Sequence, residues 1–187
     1  MRLHKDAQAV LSPWAAPDPA QDALRREYLA HLARHPDGMR RECRAGHVTA
    51  SAAIVDPAGE RTVLTLHRGL RMWLQTGGHC EPDDPSLAAA ALREATEESG
   101  ISELRLLPAP VRLDRHWVPC GGGTWHFDVQ YAAVARNDAE LTRADAESVD
   151  LGWFPADNLP EPTDESCRAL VRAAAQAART GDGICTG

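Results

Sequence analysis

Hydrophobic positions fall into strand-like and helix-like runs along most of the chain. Residues 47–55 (HVTASAAIV) and 61–67 (RTVLTLH) are short, apolar-rich and joined by the turn Asp56-Pro57-Ala58-Gly59, so they predict two strands. Before them, Ala23, Leu24, Tyr28, Leu29 and Leu32 recur near helical spacing, which predicts a helix from Gln21 to Arg34 stopped by His35-Pro36-Asp37-Gly38. Residues 1–19 are rich in Pro and Ala without a clear period and predict an irregular arm. After the apolar Met72-Trp73-Leu74 comes Gly77-Gly78, which suggests a glycine turn. Residues 101–118 hold two short apolar stretches broken by Pro108 and Pro110. Gly121-Gly122-Gly123 predicts a flexible turn, Trp125 to Val134 a long strand, and Val149 to Phe154 a last strand. A final helix is expected over about 164–179, with a frayed tail after it.

The helix predicted over 85–99 carries the candidate chemistry. Asp84-Pro85-Ser86 looks like a helix start, with Asp as cap and Pro at the first helical position, and Gly100 is suited to end it. Ala88, Ala91, Leu92 and Ala95 form a stripe that can lie close against a sheet. Beside it, at ~100° per residue, Glu94, Glu97 and Glu98 share one face. Carboxylates at i, i+3 and i+4 repel one another and cost the helix stability unless a cation sits among them. Oxygen-only ligands suit a hard divalent ion, Mg²⁺ or Mn²⁺.

Composition narrows the partners. The chain has 187 residues, 43% of them hydrophobic, which fits one globular domain with a small helical addition. A formal net charge of −7 argues against a nucleic-acid polymer as partner, though not against a phosphate substrate held through divalent ions. The five cysteines are odd in number and lack CxxC spacing, which suggests free thiols in a reducing, cytoplasmic compartment. The eight histidines look scattered. Cys43 and His47 have no matching second pair, so structural zinc is set aside. The absence of a charged and apolar leader, or of a run of about 18 apolar residues, gives no expectation of export or membrane insertion.

The segment from Gly78 to Ile101 resembles the Nudix box, the signature of the Nudix hydrolases. Gly78, Arg93, Glu94, Glu97, Glu98, Gly100 and Ile101 fill their slots. Asp84 stands where the first Glu is expected, eight residues rather than seven separate it from Arg93, and Ala95 replaces an aliphatic residue. With GGHCEP at the turn, the overall look is that of an actinobacterial-type Nudix group, and the likeness runs over roughly residues 45–175. It implies an α/β fold: a Nudix-type α/β/α sandwich with a mixed central sheet, here with an N-terminal helical extension. The division expected is an arm and helix over 1–40, a hydrolase domain over 41–180 and a tail over 181–187. The N-terminal helix would dock on the domain, with a homodimer contact or a lid as other roles.

The resemblance further implies cleavage of a pyrophosphate bond in a nucleoside diphosphate linked to another moiety, or in a nucleoside triphosphate. Glu94 and Glu98 are the expected metal ligands, Glu97 a third ligand or a base acting through water, and the Gly77 carbonyl a further ligand. Arg93 would pair with Glu94 or Glu97, or face solvent. Glu147 is either a general base from outside the helix or a turn residue. Arg68 is a candidate phosphate contact or a solvated loop charge. Trp73 is a base-stacking or a core residue. His126 and Asp128, on one face of a strand, could bind a sugar or base or simply face solvent. Another reading is a sensor that binds a nucleotide or ADP-ribose without cleaving it; the intact carboxylates favour the enzyme.

Overall fold

The computed structural model describes residues 2–119, 122–142 and 148–181. At its centre β1 (His47–Val55) and β7 (Thr124–Val134) run parallel, in register from His47↔His126 to Val55↔Val134. Every residue of β1 is buried, so its near-continuous run of small and apolar residues is that of a strand covered on both faces. On its free edge β1 pairs antiparallel with two strands in turn. β4 (Thr76–His79) lies beside Thr49 to Ala52, and β2 (Arg61–His67) beside Ile54 and Val55. β2 then diverges to pair with β3 (Met72–Leu74) and β8 (Ser148–Pro155). The outer edge of β7 is likewise shared by β6 (Arg112–Val118) and β5 (Arg105–Leu106).

Helices cover both faces, giving the expected α/β/α sandwich. On one side Val48, Ala50, Ala52 and Ile54, with Phe127, Val129 and Tyr131, pack against Leu87, Ala90, Ala91 and Ala95 of α3 (Leu87–Ser99). Alanines on both partners let helix and sheet approach closely. On the other side Ala53, Val55, Ala132 and Val134 pack against Cys167, Leu170, Val171 and Ala174 of α4 (Glu165–Thr180).

The arm expected over residues 1–19 is irregular only over residues 12–18 among the described residues. α1 (Arg2–Leu11) is a regular helix that buries Leu3, Ala7 and Leu11, one residue per turn. It also serves α3, because Asp6 accepts the Leu87 N–H at 2.8 Å at that helix's N-terminus. α2 (Pro19–Arg34) buries Tyr28 and Leu32 as expected, while Ala23 is exposed. Its Gln21, also buried, accepts the Leu113 N–H at 2.7 Å and donates to the Leu113 carbonyl at 3.0 Å. This side chain extends β6 as a strand's backbone would. Gln21→Ala is therefore expected to lower stability by about 2 kcal/mol through two orphaned backbone groups. A denaturant titration reads this, and a loss under about 0.5 kcal/mol would show that water replaces the amide.

Two local expectations change. Gly77-Gly78 is part of strand β4, not a turn. Gly77 has φ +155°, and a Cβ there would lie 2.3 Å from the Ser51 Cβ, so only glycine lets β4 lie against β1. The cap of α3 is Ser86, whose hydroxyl accepts the Ala89 N–H at 3.1 Å, not Asp84. Gly100 does end the helix in the left-handed conformation. Among the described residues, no helix is long and apolar enough to cross a membrane.

Candidate active site

Arg93 organises the acidic helix. Its Nε and Nη2 donate to the two oxygens of Asp84, each at 3.1 Å, in a bidentate fork. Nη1 donates to Glu94 at 2.9 Å and to Glu97 at 3.1 Å, and Nη2 also reaches the His79 carbonyl at 3.0 Å. Of the two readings of Arg93, the ion pair is the one found, with a third carboxylate added. Asp84 accepts the Glu81 N–H at 2.7 Å as well, so the loop before α3 closes on itself and absorbs the additional residue before the helix begins. Burial raises the Asp84 pKa, but the Arg93 hydrogen bonds and the Glu81 amide outweigh it and hold the carboxyl below its ordinary value. Glu81 itself is exposed.

The three glutamates differ in setting. The Glu94 side chain is 15% exposed, and burial raises its pKa against the opposing pull of Arg93. Glu97 is 59% exposed at the rim. Glu98 turns back to β4, where it accepts the Gly77 N–H at 3.3 Å. A Cβ on Gly78 would come 2.8 Å from a Glu94 oxygen, so this glycine leaves room for the carboxylate. Glu147 and the tail beyond residue 181 lie outside the described residues, as do Cys120 and Cys185.

The expected substrate contacts are spread over the sheet. Arg68 is exposed in the β2–β3 turn, and Trp73 packs edge-on against Phe154 with ring centroids 4.7 Å apart. His126 and Asp128 do share a face, but it is not open solvent. Asp128 is buried and accepts from Ser51 at 2.6 Å, Thr49 at 3.0 Å and Gln130 at 3.1 Å. Burial raises its pKa against these donors. Trp117 and Trp125 face each other across β6 and β7 near the hairpin tip, both exposed, with the Arg115 guanidinium 4.5 Å from the Trp125 ring centre.

Sequence reading missed a histidine cluster on this same face. Register places His47 beside His126, and Thr49 beside both Asp128 and His79. Ring centroids of His47, His79 and His126 lie 4.7–5.2 Å apart, and His116 lies 5.5 Å from His126. Cys43 and His47 do not group together: Cys43 falls with His35 and Asp37. Burial, followed by neighbouring histidines, lowers the pKa of His47 to about 4 and of His126 to about 3. The hydrogen bond that His116 Nδ1 donates to the Asp114 carboxylate, at 2.7 Å, raises that of His116.

Such depressed values predict a pH dependence of the metal-free protein. Protonation is disfavoured in the fold relative to the unfolded chain, so the stability from these rings is complete above about pH 6.5 and is lost as pH falls towards 4. For His47 the loss between pH 7 and 5 is about 2 kcal/mol. Urea midpoints at the two pH values should fall closer together in His126→Gln than in the wild type; equal gaps would clear the cluster of this role.

The NUDIX domain profile matches residues 46–174. No curated protein sequence gives a significant match. Among solved structures, the NUDIX domain of Shewanella oneidensis NrtR complexed with ADP ribose has a TM-score of 0.55 at 21% identity, covering 81% of this chain and 96% of that one. A NUDIX-family hydrolase from Clostridium perfringens has a TM-score of 0.54 at 23% identity, covering 72% and 97%. A MutT NUDIX hydrolase from Burkholderia pseudomallei has 0.52 at 26%, covering 67% and 95%. With the profile spanning more than half of the chain and a box whose arginine binds its carboxylates, the protein belongs to the Nudix hydrolase superfamily.

Proposed function

We propose that the protein is a divalent-metal-dependent pyrophosphohydrolase acting on a nucleoside diphosphate linked to another moiety, or on a nucleoside triphosphate. The observation that carries this reading is the set of carboxylates on α3 held against β4: Glu94 and Glu97 on the Arg93 fork and Glu98 on the Gly77 amide. Glu94, Glu97, Glu98 and the Gly77 carbonyl offer only oxygen, which fits Mg²⁺ or Mn²⁺. The raised pKa of partly buried Glu94 also fits, since a cation would restore its charge. A bound ion of this kind would neutralise phosphate oxygens and favour ionisation of a water.

Water attacks one phosphorus, and the bridging oxygen leaves with the other phosphate. Glu97, at the exposed rim, takes the proton through water, or Glu147 takes it directly. Arg93 keeps Glu94 and Glu97 in place and Asp84 neutralised, as a positioning residue. His126 and Arg68 are the contacts of choice for sugar and phosphate, and Trp73 for the base. Asp128 then acts by aligning Ser51 and Thr49 below them. A small nucleotide is the partner, with homodimer formation through the N-terminal helices and a cytoplasmic location as further proposals.

The test is phosphate release from a panel of nucleoside diphosphate derivatives and triphosphates with Mg²⁺ or Mn²⁺ and a coupled phosphatase. Metal-dependent cleavage of one class supports the enzyme and names its substrate. No cleavage, with a nucleotide or ADP-ribose raising the melting temperature, replaces this reading with that of a sensor.

A further inference from the structure

We propose that His47, His79 and His126 form a binding site for one divalent transition ion of the Zn²⁺ class, separate from the carboxylates of α3. One potential ligand nitrogen from each ring lies within 4.8 Å of the others. A tetrahedral ion with bonds of about 2.0–2.1 Å holds its nitrogens roughly 3.3 Å apart, so small side-chain rotations bring the three onto one centre. The backbone fixes this convergence. His47 and His126 are direct neighbours in the parallel pair β1–β7, and His79 reaches the same face from β4 on the opposite side of β1.

A second observation points to a ligand. His47 is 2% exposed, yet neither of its ring nitrogens has a hydrogen-bond partner. The Cys43 backbone lies near enough to influence the ring but not at hydrogen-bonding geometry. The hydroxyls nearby are committed elsewhere, since Thr49 and Ser51 both donate to Asp128. Buried imidazole nitrogens rarely go without a partner, and an ion at the centre of the cluster gives them one. Three imidazoles with no carboxylate among them select Zn²⁺, Co²⁺ or Ni²⁺ over Mg²⁺. His79 and His126 are partly exposed, so the ion keeps a position open for water or an anionic oxygen.

The site adjoins the acidic helix through β4. The His79 carbonyl accepts from Arg93, while its ring turns to the cluster. The inference does not depend on hydrolysis, and the two can fail separately.

The experiment uses tag-free protein stripped with chelator and titrated with Zn²⁺ by calorimetry in excess Mg²⁺, and with Co²⁺ by visible absorption. The expected result is one ion per chain and d–d bands of a low-coordinate nitrogen site. His79→Gln and His126→Gln should each weaken binding by on the order of 100-fold or more, since loss of an outer-shell partner alone costs 10–100-fold. Glu98→Gln should leave it unchanged. His79→Gln decides the matter if His126→Gln does not fold, and zinc-induced shifts of the wild-type imidazole resonances give a reading without any substitution. Absence of binding, binding indifferent to both histidine changes, or binding lost in Glu98→Gln overturns the proposal.

Discussion

Glu98→Gln is expected to lower kcat by about 10²–10³-fold or more, the range seen when one electrostatic stabiliser of a transition state is removed. Folding should be spared. Gln has the shape of Glu, and its amide oxygen can still accept the Gly77 N–H that Glu98 accepts at 3.3 Å. Loss of one negative charge beside Glu94 also relieves an i, i+4 repulsion worth a few tenths of a kcal/mol, about 0.2–0.5, so the melting temperature of the metal-free protein should hold or rise slightly. The apparent Mg²⁺ requirement should shift to higher concentration at the same time if Glu98 ligates the ion as proposed, because a ligand charge is then removed. The combination is diagnostic: slower turnover, weaker metal affinity and undiminished stability. Turnover within a few-fold of wild type would show that the acidic face of α3 is not where the bond is cleaved.

What the sequence showed and what it hid follow from the range of the interactions involved. β1 and β2 were legible because each is a dense run of apolar and β-branched residues bounded by a Pro-Gly turn or a charged segment. The acidic face of α3 was legible because helical spacing alone puts Glu94, Glu97 and Glu98 together. α1 was hidden, since Pro13, Pro17 and Pro19 lie beyond it and drew attention from the sparse stripe Leu3, Ala7, Leu11. Gly77 and Gly78 suggested a turn by composition. They lie in a strand paired with β1, and glycine is needed there because Ser51 and Glu94, neither near them in sequence, leave no space for side chains. Asp84 suggested a cap, but Ser86 begins the helix and Asp84 is drawn to the Arg93 guanidinium. The histidine cluster depends on the parallel register of β1 with β7 and on the antiparallel register of β4 with β1, which no local pattern encodes.

Arg93→Ala should have the largest effect on stability, about 3–5 kcal/mol, because it leaves buried carboxylates without their counter-charge. The Asp84 side chain is only 6% exposed and takes both of its ionic hydrogen bonds from Arg93. Glu94, already raised by burial, would lose the neighbour that opposes that shift. The His79 carbonyl would lose the Nη2 bond that ties α3 to β4. Lys restores the charge but not the fork, since an ammonium cannot span both Asp84 oxygens while reaching Glu94 and Glu97. Arg93→Lys should therefore fall between alanine and wild type. Urea titrations with and without Mg²⁺ separate the parts of the loss. An ion among Glu94, Glu97 and Glu98 can replace the missing cation for the glutamates, so Mg²⁺ should narrow the deficit of Arg93→Ala. It should not close it, because Asp84 remains unpaired away from that face. A deficit under about 1 kcal/mol would mean that the Arg93 pairs behave as exposed ion pairs do, and that the loop and helix hold the carboxylates by other means.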